Sequence, residues 1–404
     1  MDKCVFSPAD ILLPNSADMR KWSVVACDQY SSEPEYWDRV NDFVGEEPST
    51  LRLITPEAYL DRVCAEEESE RIRGVMRRYL DGNVFREYKN SFIYLERTQL
   101  DGSIRRGIVG KMDLEEYDYT PGSGKAVAAS EKTVVSRLPV RIEIRKNALI
   151  ELPHVMVFFS DPENIIFEAL SAKKDSLRKL YDFELMENGG NICGWLIGGI
   201  DADQIMAALA FSGNGVTKLV IGDGNHSLAA AKEYWNSIKR SLSAEECETH
   251  PARYALIEIN NVYDENIQFE PIHRVVFGVE PEELLKSINK KYGIGEVKIP
   301  YVTANGKGEI ALPDMRFGDV ISTVQGLIEE YTAENGGTID YIHGDEAATS
   351  MGSEKGCIAF LFPKMEKSEL FATVAEGRIF PKKSFSVGLA PEKRYYLECR
   401  KIVK

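Results

Sequence analysis

The sequence is poor in residues that form metal or disulfide sites. Its 404 residues include seven cysteines, and no two of them make a Cys-x-x-Cys pair. Neither a zinc knuckle nor a thioredoxin-like redox site is therefore indicated, and an odd, dispersed count is typical of reduced thiols in a cytosol. There are five histidines and no His-Glu-x-x-His motif, which makes a metal-dependent hydrolase the least favoured function class.

Long apolar runs and an excess of basic charge are also missing. No run approaches the roughly 20 residues of a membrane span, and the first residues lack the apolar region of a signal peptide. The 64 acidic residues outnumber the 49 basic ones, for a net charge of −15, whereas nonspecific nucleic-acid binders usually carry a basic face. We therefore expect a cytoplasmic protein with a small-molecule ligand and with neither a nucleic-acid nor a membrane partner. The sequence leaves open whether it forms homo-oligomers.

The most informative stretch is residues 217–238. Residues 219–221 form a short apolar run that predicts a buried strand. Gly222 and Gly224 then flank Asp223, and the apolar residues that follow recur at spacings of three and four, as on one face of a helix. The pattern predicts a strand, a tight glycine turn and a helix that starts near Ser227.

Such a turn has the chemistry of an anion site. Backbone N–H groups and the helix dipole at a helix start favour a phosphate, so residues Gly222, Gly224, Asn225 and Ser227 are predicted to bind one. Asp223 is the predicted catalytic base or Mg²⁺ ligand, and His226 is the predicted phosphate donor or acid–base group. The alternative is an ordinary helix cap, since Asp, Asn and Ser are common there.

Several motifs resemble those of a known family. Asp-Gly-Asn-His-Ser followed by Ala-Ala is similar to the Asp-Gly-His-His-Arg-(x)n-Ala box of a bacterial family catalogued only as domain of unknown function 1015. Further matching segments lie along nearly the whole chain: Pro8–Pro14, Trp22–Tyr30, Glu151–His154, Pro271–Arg274 and Pro381–Ser386. The resemblance implies a shared fold and brings no assigned function.

A more distant similarity is to the ParB and sulfiredoxin superfamily. Its related box binds nucleotide phosphates, and some members are nucleotide-dependent kinases of free serine. The resemblance implies a nucleotide cofactor and a ParB/sulfiredoxin-like nucleotide-binding core. This chain has Asn225 where the box has its first His, and Ser227 where it has Arg. An Arg at the position of Ser227 would donate two hydrogen bonds to a phosphate. Arg274 is the candidate to supply this donor instead.

Other polar positions complete the predicted site. Lys382, Lys383 and Ser384 offer cations and a hydroxyl to an anionic ligand, with a solvated basic turn as the alternative. Residues at strand edges and loops are predicted to contact the substrate: Asp28, Gln29, His154 and His273. We expect His154, His273 and Arg274 to approach the central turn.

A second polar region covers residues 121–137. Lys125 follows a Pro-Gly-Ser-Gly run, but the region departs from the Gly-x-x-x-x-Gly-Lys-Ser/Thr pattern, so a P-loop NTPase is excluded. The alternative that Lys125 lies near a bound anion remains open. The polar residues Ser130–Thr133 belong to the same region, with a helix cap or surface strand as the alternative.

The coarse pattern predicts an α/β or α+β fold with mixed sheets and flanking helices. The pattern of residues 91–119 predicts a β-hairpin with its turn at Asp101-Gly102. The alternation of apolar and polar residues at 140–145 predicts a strand, and the pattern of residues 163–187 predicts a helix. We divide the chain into an N-terminal α+β region (1–139), a core carrying the central motif (140–278) and a C-terminal α+β region (279–404).

The leading functional prediction is an enzyme that binds a nucleotide or phosphorylated small molecule. Phosphotransfer to a small metabolite needs mainly positioning and charge neutralisation, which the groups at the turn can supply. The alternative is a non-catalytic nucleotide or metabolite sensor, and a metal-dependent hydrolase ranks below both.

Overall fold

The computed structural model describes residues 4–25, 30, 33–60, 62–152, 155–211 and 217–404. The chain divides into two compact units. Unit 1 comprises Met1–Ile267, Val374–Arg378 and Leu389–Lys404, and unit 2 comprises Gln268–Thr373 and Ile379–Gly388. The division of the sequence into three regions stays a prediction.

Strands and helices alternate along the chain in a mixed α/β fold, as predicted. The strands are β1 Phe6–Ser7, β2 Ala9–Pro14, β3 Val24–Val25, β4 Phe85–Thr98, β5 Ile104–Asp113, β6 Tyr117–Asp118, β7 Val127–Ala129, β8 Ile150–Glu151, β9 Met156–Phe159, β10 Arg178–Glu184, β11 Asn191–Ile197, β12 Leu219–Asp223, β13 Tyr254–Asn261, β14 Phe269–Phe277, β15 Val297–Thr303, β16 Gly306–Leu312, β17 Thr338–His343, β18 Cys357–Phe360, β19 Phe385–Val387, β20 Tyr395–Tyr396 and β21 Arg400–Lys401. The helices are α1 Met19–Trp22, α2 Pro34–Val44, α3 Ala65–Asp81, α4 Leu138–Asn147, α5 Ile165–Lys173, α6 Gly199–Phe211, α7 Asn225–Ile238, α8 Ala244–Thr249, α9 Pro281–Lys291, α10 Phe317–Asn335, α11 Asp345–Gly352 and α12 Lys367–Ala375. Across the described ranges, every helix is too short or too polar to cross a bilayer.

Unit 1 is built on a large mixed sheet. Its strand order is β10-β11-β4-β5-β13-β9-β12-β7-β6, with β1 beside β5 and β2 beside β4. The predicted hairpin is confirmed, because β4 and β5 pair antiparallel and their connection contains Gly102, whose φ is +84°. β12 runs parallel to β7 and antiparallel to β9, so the central motif lies inside the sheet rather than at its edge.

Alternate residues of the central strands fill two separate apolar cores. Ile93, Leu95 and Val109 belong to one cluster, and their neighbours Phe92 and Ile108 belong to the other. This is the two-residue period of a strand buried on both faces. The second cluster also includes the apolar side of α7, which fixes the orientation of that helix on the sheet.

Two elements differ from the sequence prediction. The strand predicted at residues 140–145 is wrong, because these residues lie in α4. Pro139 occupies its first turn, where a missing N–H costs nothing, and the helix packs against α3 and α7. The helix predicted for residues 163–187 is wrong in its second half, since α5 ends at Lys173 and β10 pairs with β11.

Unit 2 has its own antiparallel sheet and core. The strand order is β16-β15-β18-β14-β17, and β19 also pairs with β14. The core of this unit combines helix and strand residues that are fully buried: Ile288, Ile310, Val324, Ile328 and Ile358.

Candidate functional site

The predicted strand, glycine turn and helix are all present. β12 ends at Asp223, and Gly224 is the residue that caps α7, with a φ of +93°. The helix begins at Asn225, two residues before the predicted start. Because glycine has no side chain, the cap supplies no oxygen to the N–H groups of the first turn.

Packing against Val155 and Phe158 explains both glycines. A Cβ at Gly222 would lie 2.3 Å from the Phe158 ring, and one at Gly224 would lie 3.0 Å from Val155 Cα. Both distances are shorter than ordinary carbon contacts. The glycines are therefore needed for the turn to lie against these two residues, in addition to any role in ligand approach.

A second segment meets the start of α7. β7 runs parallel to β12 with Ala129 opposite Ile221, so Ser130 follows the end of β7 beside Gly222 of β12. The Val134 N–H then donates to His226 Nε2 at 3.2 Å. Because Nε2 accepts this bond, Nδ1 carries the proton of the neutral imidazole.

Three buried oxygen atoms around this helix start have no hydrogen-bond partner within the described ranges. They are Ser130 Oγ, Thr133 Oγ1 and Asn225 Oδ1. The side chains of Ser130 and Thr133 belong to residues only 0% and 6% exposed. An unsatisfied buried polar group costs about 1–3 kcal/mol, so their concentration at one helix N-terminus calls for an explanation.

Asp223 forms an ion pair that the sequence did not indicate. Its Oδ2 lies 3.3 Å from Nζ of Lys393, whose side chain is 6% exposed, while that of Asp223 is 31% exposed. Its Oδ1 accepts the Gly224 N–H at 2.8 Å. The two residues are far apart in the sequence, and no local pattern connects them.

The backbone that carries Lys393 is held by Arg97. This buried guanidinium donates to the carbonyl oxygens of Pro391, Glu392 and Lys393, and to that of Gly189. Burial lowers the pKa of Arg97 to about 9, so it stays protonated at neutral pH. Lys393 therefore reaches Asp223 from a fixed stretch of chain.

A buried charge network adjoins this stretch. Glu258 lies 3.1 Å from Arg394 Nε and 3.9 Å from Arg105, and Arg394 also pairs with Glu398 at 2.8 Å. The Tyr181 hydroxyl donates to Glu398 at 2.6 Å. Burial raises the pKa of Glu258, but the attraction of Arg394 and Arg105 outweighs it and keeps this pKa below its usual value.

A family model for proteins of unknown function, DUF1015, matches residues 8–401. The chain belongs to this family. No curated protein sequence matches this DUF1015 chain.

Three solved structures show weak similarity to this DUF1015 protein. A free serine kinase in complex with AMP is 13% identical, with 72% of this chain and 90% of that chain covered and a TM-score of 0.39. A conserved hypothetical protein from Pyrococcus furiosus is 13% identical over 71% and 90% of the two chains, with a TM-score of 0.34. C-terminally truncated SbnI from Staphylococcus aureus is 10% identical over 60% and 83%, with a TM-score of 0.27. Similarity at this level carries no functional conclusion.

The predicted residues His273 and Arg274 lie in unit 2. His273 is fully buried, its Nδ1 accepts the Phe362 N–H at 3.1 Å, and its Nε2 lies 2.9 Å from Asp345 Oδ1. Arg274 is also fully buried, and its Nε donates to Gln325 at 2.7 Å. Both side chains are thus held by residues of their own unit.

The predicted basic tail surrounds Arg274 in the same unit. The Lys383 carbonyl accepts from Arg274 NH1 at 2.9 Å, and Lys382 Nζ lies 5.8 Å from the Tyr341 ring centroid. Ser384 is buried and donates to the Pro381 carbonyl at 2.7 Å. These residues lie in unit 2 and the 222–227 turn lies in unit 1, so their predicted approach to the turn stays a prediction. Asp28, Gln29 and His154 lie outside the described residues.

The candidate magnesium site depends on Asp223. In the part of the chain that the structure describes, no group of three or more His, Cys, Asp or Glu side chains is arranged to hold a metal ion. Mg²⁺ commonly binds through one or two carboxylates together with substrate phosphates and water. Asp223 fits that mode only if its carboxylate is shared with, or released from, Lys393.

Proposed function

We propose that this DUF1015 protein binds a nucleotide or another phosphorylated small molecule at the 222–227 turn and transfers a phosphoryl group to a small metabolite. The observation that carries the proposal is the pair of buried hydroxyl groups of Ser130 and Thr133 near the N-terminus of α7, which have no partner among the described residues. Hydroxyl groups donate well to phosphate, and the helix dipole favours the same charge. A bound phosphate would accept hydrogen bonds from these two buried hydroxyls.

Each residue of the turn has a role in this proposal. Ser130 and Thr133 donate their hydroxyl hydrogens to phosphate oxygens, beside the backbone N–H groups of Asn225 and Ser227. His226 lies in the first turn of α7, where its imidazole would contact the phosphate. Asp223 accepts the proton of the attacking group or holds Mg²⁺, and its ion pair with Lys393 orients the carboxylate.

The proposal extends to ancestry. We propose that the core of unit 1 is distantly related to the ParB and sulfiredoxin superfamily, on the strength of the Asp-Gly-Asn-His-Ser motif at a strand–turn–helix junction. The Arg of that family's box is replaced by Ser227 here. Ser130 and Thr133 stand where they can supply part of the missing phosphate donation.

Calorimetric titration with AMP, ADP and ATP, with and without Mg²⁺, tests binding. Ser130→Ala and Thr133→Val should each weaken nucleotide binding by about 1.5–3 kcal/mol, the usual worth of a hydrogen bond to a charged group. Both variants should fold at least as stably as the wild type, because neither hydroxyl has a partner to lose within the described residues. Ser237→Ala, at the exposed far end of α7, is the matched control and should bind normally. Unchanged affinity in both site variants would show that the turn is only a helix cap.

Turnover separates an enzyme from a sensor. A nucleotide-conversion assay on the wild type and on Asp223→Asn should show that the variant loses turnover far more than affinity. Thermal melting of the variant must accompany it, because Asp223 also pairs with Lys393. A sensor would bind nucleotide with no turnover to lose.

A further inference from the structure

A small cavity lies between α3, α4 and the first turns of α7 in unit 1. Its volume is about 160 Å³, and most of its lining is apolar: Met76, Ile144, Ala148, Leu228, Ala230 and Ala255. An engineered apolar cavity of about 150 Å³ binds benzene. The space therefore suits an apolar group of about one six-membered ring.

One side of the cavity is charged. Arg145 and Glu151 both line it, and Arg145 NH2 lies 2.6 Å from Glu151 Oε2. The other oxygen of Glu151 lies 2.7 Å from Arg400 and accepts the Leu256 N–H at 2.8 Å. One carboxylate is thus shared between two guanidinium groups, which leaves a surplus positive charge.

The surplus lies at Arg145. Its side chain is 15% exposed, while those of Glu151 and Arg400 are 7% and 6% exposed. Its Nε is buried and has no hydrogen-bond partner in the described ranges. A buried charge is costly unless it is paired and hydrogen-bonded, so a second anion beside Arg145 would be favourable.

We propose that this cavity binds a small organic anion whose apolar body is about the size of one six-membered ring and whose anionic group pairs with Arg145. The apolar lining favours the apolar body of the ligand. The part of the Arg145 guanidinium that is not paired with Glu151 favours its anionic group. The site uses neither Asp223 nor the hydroxyls of Ser130 and Thr133, although Ser227 of the 222–227 turn also lines the cavity.

Ligand-observed fluorine NMR with the full chain tests the proposal, with 4-fluorobenzoate as the probe. The wild type should bind 4-fluorobenzoate at least about tenfold more tightly than the neutral 4-fluorobenzamide, since a charge-assisted hydrogen bond is worth about 1.5–3 kcal/mol. Acetate, which has the charge without the ring, should fail to displace the probe. Equal binding of the acid and the amide, or no binding of the acid, would overturn the proposal.

Two variants and a control assign the binding to this cavity. Arg145→Gln leaves Glu151 paired with Arg400, so it should fold and should reduce 4-fluorobenzoate binding to the level of the amide. Ala230→Leu fills the cavity and should abolish binding of both probes. Arg77→Gln removes an exposed charge from α3 and should change nothing. Normal binding by Arg145→Gln, or an equal loss in Arg77→Gln, would contradict the assignment. AMP titration of Arg145→Gln reports separately on the phosphate site.

Discussion

At the residue scale, Gly224 is required by both its conformation and its neighbour. Gly224→Ala should destabilise the protein by about 1–2 kcal/mol through the positive φ and by about 1–3 kcal/mol more through the close contact with Val155. Gly102→Ala is the matched control, because Gly102 also has a positive φ but a Cβ added there would meet no atom within 4 Å. Urea unfolding measures both changes. Equal losses in the two variants would show that the Val155 contact costs nothing.

The residues of the turn could be identified from sequence, but their partners could not. Gly222 to Ser227 are contiguous, and their order alone suggests an anion-binding turn. Lys393 and Arg97 come from distant parts of the chain, and only the folded sheet brings them near Asp223. Ser130 and Thr133 were visible as a polar segment, but their lack of partners among the described residues depends on burial, which a sequence does not show.

At the element scale, the C-terminal segment Leu389–Lys404 is held in unit 1 by two buried carboxylates, one on β8 and one on β13. Glu151 pairs with Arg400, and Glu258 pairs with Arg394. Burial raises the pKa of Glu151, but Arg400 and Arg145 outweigh it, and its pKa, like that of Glu258, lies below the ordinary value. These two carboxylates stabilise the fold while they are ionised.

The protein should therefore lose stability in mild acid. Above the unfolded-state pKa of about 4.3 the contribution of these carboxylates is complete. Below it, the two carboxylates bind protons in the unfolded chain but not yet in the folded chain. The free energy of unfolding therefore falls until the pH is below the folded-state pKa values of both groups. Urea midpoints measured from pH 7 to pH 3 check this. Glu283→Gln, which removes an exposed carboxylate, should follow the wild-type curve, and a flat profile between pH 5 and about pH 3 would contradict the assignment.

Elements with an unambiguous period were predictable, and short amphipathic ones were not. The 219–238 stretch changes from a continuous apolar run to a helical period, so strand and helix were both found. Residues 140–145 alternate like a strand, but they follow Pro139 and pack between α3 and α7. Residues 178–184 have no distinctive pattern, and their pairing with β11 makes them a strand.

At the scale of the whole molecule, unit 1 consists of segments that come before and after the main segment of unit 2 in the sequence. Unit 2 begins at Gln268. The chain re-enters unit 1 briefly at Val374–Arg378 and stays in unit 1 from Leu389 onward. The returning segment forms backbone hydrogen bonds between Leu12 and Cys399 at 2.7 and 2.9 Å. Its Leu397 carbonyl also accepts from the Trp22 indole at 2.9 Å. The N-terminal and C-terminal parts of the chain therefore share one core.

A chain ending at Gly388 should lose the fold of unit 1 and keep that of unit 2. It lacks five large or apolar side chains that are buried in unit 1: Tyr395, Tyr396, Leu397, Cys399 and Ile402. Burying one such side chain is worth about 1.5–3 kcal/mol, so together they approach the ~5–15 kcal/mol stability of a typical domain. The truncation also takes Arg394 from Glu258 and Arg400 from Glu151, which leaves buried carboxylates short of partners.

Hydrogen exchange measured by mass spectrometry distinguishes the two units in that truncated chain. Peptides from β4, β5 and β13 should lose protection, because their unit has lost part of its core. Peptides from β14, β15 and β18 should keep it, because every residue assigned to unit 2 precedes Leu389. A chain ending at Ile402 removes only the exposed Val403 and Lys404 and is the control that should match the full chain. Retained protection of β4 and β5 in the chain ending at Gly388 would mean that unit 1 is stable without its C-terminal segment, and the buried charge pairs would then not be needed for its stability.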